Sequence, residues 1–171
     1  MSLLSSLSSS FDASLLVRDV AGSYRAAEPA EVLQAALRVL AGQLRGSAML
    51  DSPQAVRDFL RIKLGTLEHE VFAVIHMDSQ HRVIEYVEMF RGTVSQTSVY
   101  PREIVKEALA RNSAALILVH NHPSGSTEPS RADEALTQAI KTALALVDVR
   151  VLDHLIVAGP AILSFAERGL L

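Results

Sequence analysis

The chain has 171 residues, 49% of them hydrophobic, a formal net charge of −3 and no cysteine. That length suits one ordinary domain with a sizeable core; the charge leaves no bulk basic footprint for nucleic acid, and the missing cysteines exclude disulfides and thiolate metal sites. No apolar run approaches a membrane span, and the start Met1-Ser-Leu-Leu-Ser-Ser-Leu-Ser-Ser-Ser10 lacks the basic opening and long apolar centre of a secretory signal, so a cytoplasmic location is expected.

Residues 1–28 are serine-rich and then irregular, with Gly22 and Pro29 as punctuation, and are expected to form a flexible or loosely docked N-terminal arm. Residues 29–171 are expected to form one domain. Val32, Leu33, Ala36, Leu37, Leu40 and Leu44 have helical spacing, ended near Gly46. Ser52-Pro53 is a cap followed by proline at the first helical position, and the helix it opens carries Val56, Phe59, Leu60, Ile62 and Leu64 before Gly65. Val71 to Asp78 reads as a strand, broken at Asp78-Ser79-Gln80, and Val83 to Phe90 returns beside it as a hairpin. A polar connection from Gly92-Thr93 leads to Pro101-Arg102-Glu103, which opens a helix ending at Asn112. Ala115 to Val119 is a short run of branched apolar residues, the pattern of a strand buried on both faces. A helix from Ser130 carries Leu136, Ile140, Leu144 and Val147, followed by a strand from Val149 to Val157 and a short apolar end, Ile162 to Phe165, suited to an edge strand. This order predicts an α/β fold, a single domain with a mixed β-sheet flanked by helices.

The chemistry concentrates in His120-Asn-His-Pro-Ser-Gly-Ser-Thr-Glu-Pro-Ser130-Arg-Ala-Asp133. Residues two apart in extended chain point to the same side, so the end of the buried strand aims His120 and His122 at one point while Asn121 faces away. Asp133 lies three residues before Leu136 on the inward stripe of the next helix, where a carboxylate is costly unless paired or bound to a metal. Ser130-x-x-Asp133 also has the spacing of a capping box, with aspartate in place of Glu or Gln. As a metal site, His120, His122 and Asp133 suit zinc, with manganese or iron open. Three protein ligands leave a fourth position for water, the arrangement of catalytic zinc sites. Hydrolysis also needs a carboxylate to take the water's proton and pass it to a leaving amine. Glu68, Glu70, Glu85, Glu88, Glu103 and Glu128 are candidates by type. Glu70, at the mouth of a core strand, is the better placed.

His120-x-His122-Pro123, six residues, Ser130, two residues and Asp133 resemble the JAMM metalloprotease signature of MPN-plus (Mov34/MPN) domains. The longer wording through Asp133, with Gly92-Thr93, Tyr100-Pro-Arg-Glu-Ile-Val105 and Leu152-Asp-His-Leu-Ile-Val157, resembles the bacterial RadC-like branch over about residues 50–171. The resemblance implies a cytidine-deaminase-like α/β architecture and a zinc-dependent hydrolase in which His120, His122 and Asp133 bind Zn2+. It also implies Glu70 as general base, and Ser130 as a hydroxyl that steadies the water or the developing oxyanion. A protein or peptide substrate follows from that reading. Full-length relatives often carry an N-terminal helix-hairpin-helix module for DNA, and residues 1–50 show no matching glycine-centred hairpin, which argues against DNA binding here. The competing expectation is a metal-stabilised binding module that serves DNA repair or replication partners without hydrolysis.

Other residues have plainer readings. His154, beside Asp153 in an alternating strand, is either a core histidine held by a neighbour or a residue orienting a ligand. Arg102 reads as a helix-start surface arginine, with a substrate-carboxylate contact as the alternative. His69, His76 and His81 have no partner at ligand spacing and read as structural or exposed.

Overall fold

Where the sequence has its branched apolar runs, a five-stranded sheet forms. The computed structural model describes residues 15–45, 53–92 and 98–171. The serine-rich start, the helix end near Gly46, the Ser52 cap and residues 93–97 of the polar connection lie outside them.

The chain divides into two units, residues 1–39 and 40–171. In the first, β1 (Leu16–Arg18) pairs antiparallel with β2 (Tyr24–Ala26). The Asp19 carboxylate accepts from the Ser23 amide across the turn, and Gly22 supplies a φ of +86°, a conformation that suits a residue without Cβ. Arg25 then pairs with Glu31, whose carboxylate also accepts from the Glu28 amide at the start of α1 (Pro29–Leu44). A hairpin therefore occupies part of the stretch expected to be an irregular arm. Strands of three residues are too short for alternation to show in sequence.

The second unit holds the last turn of α1, then α2 (Pro53–Leu64), β3 (Val71–Met77), β4 (Val83–Arg91), α3 (Pro101–Ala110), β5 (Ala115–Asn121), α4 (Arg131–Ala145), β6 (Arg150–Ala158), β7 (Ala161–Ser164) and α5 (Phe165–Arg168). The strand order is β4-β3-β5-β6-β7, parallel between β5 and β6 and antiparallel elsewhere. This is the mixed sheet the sequence order predicts. Every residue of β3 and β5 is buried, as expected for inner strands covered on both faces.

Alternation sorts the side chains. Phe72, Val74, Leu116 and Leu118 pack with Ile104 and Ala108 of α3 and with Ile140 and Leu144 of α4. The opposite face meets α2, where the Phe59 ring sits edge-on to Tyr86 of β4 with centroids 5.2 Å apart. Two details differ from the sequence expectation. β5 runs to Asn121 and does not stop at Val119, because the parallel ladder continues through His120↔Ile156 and Asn121↔Val157 and the His122 amide still donates to the Val157 carbonyl. The apolar end past Ser164 turns into α5, capped by Ser164, whose hydroxyl accepts from the Glu167 amide.

The end of α2 comes very close to the turn after β6. A Cβ built on Gly65 would lie 2.6 Å from the Gly159 carbonyl oxygen and 2.6 Å from that of Arg61, and backbone on both sides leaves nothing flexible to yield. Gly65→Ala should therefore destabilise the domain by about 1–3 kcal/mol, read as a lower midpoint in chemical denaturation with an unchanged m-value.

Candidate metal centre

β5 and α4 supply the cluster. His120 is 6% exposed at the end of β5, His122 follows it, and both rings approach Asp133 in the first turn of α4. One donor atom from each of His120, His122 and Asp133 lies within 4.8 Å of the others. The two Nε2 atoms are 2.8 Å apart, His120 Nε2 is 3.4 Å from Asp133 Oδ1, and His122 Nε2 is 3.7 Å from Asp133 Oδ2. These spacings bracket the roughly 3.3 Å edge of a tetrahedral ion held at about 2.0 Å. The group can hold a metal.

Each of these three side chains is oriented by a second contact. His122 Nδ1 donates to the Ser126 carbonyl at 2.8 Å, which leaves Nε2 for the cluster. His120 Nδ1 meets His154 Nε2 at 2.8 Å, and His154 Nδ1 meets Thr137 Oγ1 at 2.6 Å. Asp133 Oδ2 accepts from both the amide and the hydroxyl of Ser130, at 2.7 and 2.6 Å, and the Asp133 amide donates back to Ser130 Oγ. The capping box is thus present, and the same aspartate faces the histidines.

Charges follow from these surroundings. Burial pushes His120 down to about 4 and His154 well below the ordinary imidazole value. The Asp133 carboxylate raises His122, against partial burial; at 3.7 Å this is an ion-pair distance and not a good hydrogen bond. Burial opposes the charge of Asp133, but His122, His120 and the two Ser130 donors outweigh it and hold the carboxyl far below its usual range. The donor set is therefore an ionised carboxylate and imidazoles with nitrogen aimed inward, a combination that fits zinc and its neighbours in the first transition row.

The carboxylates expected as candidates for a base are sorted by the fold. Glu70 is half-buried at the mouth of β3, and its charge is felt by His122. Glu85 pairs with Arg111, Glu88 with Lys63, Glu103 with Lys106 and Glu128 with Arg168, while Glu68 is exposed. The main chain around Glu70 is pinned from β5: Asn121 Oδ1 accepts from the Val71 amide at 2.8 Å and Asn121 Nδ2 donates to the His69 carbonyl at 3.0 Å. The Glu70 carbonyl accepts from Gly92. Sequence reading had Asn121 facing away from the histidines, which it does, but missed this clamp and missed Thr137. A polar residue inside an otherwise apolar strand or stripe was the available signal in both cases.

The remaining residues separate cleanly. His154 is fully buried against the rings of Phe72 and Phe165, held by Thr137 on one ring nitrogen and touching His120 with the other. His76 is fully buried with Nδ1 on the Ser113 hydroxyl, and His81 meets Arg150 at the surface. Arg102 is 82% exposed and pairs with Glu103.

Comparison with known proteins places this geometry. A model of the RadC-like JAB domain matches residues 50–170. The chain belongs to the RadC-like JAB domain family. Among its relatives, a UPF0758 protein of Leptothrix cholodnii is 62% identical over 150 residues, covering 88% of this chain and 68% of the relative. A UPF0758 protein of Methylibium petroleiphilum matches with the same identity and coverage, and one of Polaromonas sp. is 58% identical over 88% of this chain and 67% of its own length. The chain thus spans about two-thirds of these relatives, whose names state no activity. Membership in the JAB family, with the His120–His122–Asp133 group, points to JAMM-type metal-dependent hydrolase chemistry. Among the described residues no helix is long and apolar enough to cross a membrane.

A pH dependence follows for the metal-free chain. His76 is lowered to about 4 by burial, as is His120, and His154 is held well below its ordinary value, whereas all three titrate near 6.5 when unfolded. Below 6.5 the unfolded chain takes up protons that the folded chain refuses, so stability is full above 6.5 and is lost as pH falls toward about 4. His122 contributes with the opposite sign, since a raised value adds stability below 6.5 that is lost as pH climbs through it. Three against one leaves a net loss in acid. Urea denaturation with chelator present should show it between pH 7 and 4.5, and His76→Gln, remote from the cluster, should make the fall shallower.

Proposed function

We propose that the chain is a zinc-dependent hydrolase of peptide or isopeptide bonds, with His120, His122 and Asp133 holding the ion and Glu70 acting as general base. The observation that supports the reading is the convergence of two imidazoles and a carboxylate, with a half-buried glutamate, Glu70, at the mouth of β3 on main chain clamped by Asn121. A divalent ion held by these residues would supply Lewis acidity, lowering the pKa of water toward neutrality and polarising a carbonyl.

The chain's own groups do the rest. Glu70 takes a proton from the attacking water onto a carboxylate oxygen and delivers it to the leaving nitrogen. The Asn121 clamp limits how far the Glu70 backbone can drift during that transfer. Ser130 is exposed, and rotation of its hydroxyl redirects the proton now given to Asp133 toward a developing oxyanion. The substrate is a protein or peptide, and a cytoplasmic setting accords with a chain that has no cysteine.

Two measurements test this reading together. Metal analysis should find close to one zinc per chain. Glu70→Ala should keep the metal and the fold while hydrolysis of a peptide library falls about 10²–10⁴-fold. Full activity in that variant would remove Glu70 as the base. Should the wild type cleave nothing, yet capture a replication or repair partner only when zinc-loaded and equally well as Glu70→Ala, the chain is a metal-stabilised binding module instead.

A further inference from the structure

We infer that Thr137 and His154 are positioning residues for the metal centre, holding the His120 ring in the form that carries its proton on Nδ1 and offers its Nε2 lone pair to the cation. The inference rests on the metal-site reading above and not on Glu70 or on hydrolysis.

The direction of each proton can be worked out from the far end of the chain of contacts. Thr137 Oγ1 lies 2.6 Å from the Asp133 carbonyl, which can only accept, so the single hydroxyl proton is spent there. Thr137 Oγ1 can then only accept from its other neighbour, His154 Nδ1 at 2.6 Å, which must carry a proton. His154 is fully buried between the rings of Phe72 and Phe165, and such a site keeps imidazole neutral. One proton on Nδ1 leaves a lone pair on Nε2. That lone pair faces His120 Nδ1 at 2.8 Å, so His120 must donate there and keep Nε2 unprotonated. Nε2 is the atom that faces His122 and Asp133.

The contacts also close a ring. Asp133 offers its side chain to the cluster, while its main-chain carbonyl anchors Thr137 one turn later on α4. From Thr137 the path crosses to β6 at His154 and returns on β5 at His120. Two ligands from different elements are thereby tied through a third, and a shift of α4 relative to β5 has to break a buried hydrogen bond. Thr137 sits four residues after Asp133, on the stripe continued by Ile140 and Leu144, where a purely packing role would suit valine as well.

The test uses the full chain, first freed of metal. Long-range proton–nitrogen spectra of the imidazoles should place the proton on Nδ1 in both His120 and His154. Thr137→Val keeps the shape but removes the acceptor, so His154 should move its proton to Nε2 and force the His120 proton to its own Nε2. Zinc affinity, measured by competition with a chromogenic chelator, should fall about 10- to 100-fold. Thr137→Ser should restore both the proton positions and the affinity, which a packing role would not do. A proton on His120 Nε2 in the unsubstituted metal-free chain overturns the inference, and so does unchanged zinc affinity in a folded Thr137→Val. If Thr137→Val does not fold, the unsubstituted chain's proton positions and the zinc affinity of Thr137→Ser decide the matter. Absence of zinc binding by the unsubstituted chain would overturn the metal-site reading and this inference with it, whereas zinc binding that ignores Thr137 would overturn this inference alone.

Discussion

The pairing of β5 on both sides is the constraint on which the rest depends. Its antiparallel register with β3 sets Phe72 opposite His120, and its parallel register with β6 sets His154 opposite Leu118 and Ile156 opposite His120. Because side chains alternate, neighbouring residues at the end of β5 serve opposite faces. His120 reaches the α4 side, where Asp133 and Thr137 wait, and Asn121 reaches the other side and grips the chain around Glu70. A slip of one residue would exchange the two and put an amide at the cluster. Burial of every residue in β5 makes such a slip costly, so the register that packs the core also fixes which side chain faces α4 and which clamps the chain around Glu70.

How much of this was legible in the sequence depended on the kind of signal. The longer elements of the second unit follow from apolar patterning, and the cluster of His120, His122 and Asp133 follows from a two-residue spacing on a strand plus an inward position on a helix. Both are local patterns. The hairpin before Pro29 and the four-residue α5 are too short to carry a period. Asn121, Thr137 and His154 were visible as polar residues in apolar surroundings, but what they bind lies 50, 17 and 34 residues away along the chain. Partners of that kind are fixed by sheet register and helix docking, which no local pattern encodes. Glu70 is intermediate: position at a strand mouth made it the best candidate, and only the tertiary clamp shows why its backbone is held.

Among the described residues, much of the polar burial surrounds the candidate metal centre. His120, Asn121, Thr137 and His154 are all buried, and each has a hydrogen-bond partner. A half-satisfied network in such surroundings would cost more than an apolar replacement. His76 shows the contrast, since its Nδ1 reaches Ser113 while Nε2 has no partner among the described residues. The buried polar groups around the cluster are mutually satisfied, whereas the buried His76 outside it is satisfied at one nitrogen only.

The aspartate at the start of α4 belongs to both a helix cap and the candidate metal centre. In a capping box the third helical residue is usually Glu or Gln, reaching back to the N-cap amide. Asp133 does this with a shorter side chain, and Oδ2 takes both the Ser130 amide and its hydroxyl. Oδ1 is the oxygen nearer His120 Nε2. The helix N-terminus and the cap donors favour the ionised form, so the carboxylate is charged before any cation arrives, and its aim is fixed by the cap. Glutamate at this position would keep the cap but add a rotatable bond between the helix and the ligand oxygen. The departure from the usual cap residue is thus what lets a helix start also present a carboxylate oxygen to the two imidazoles.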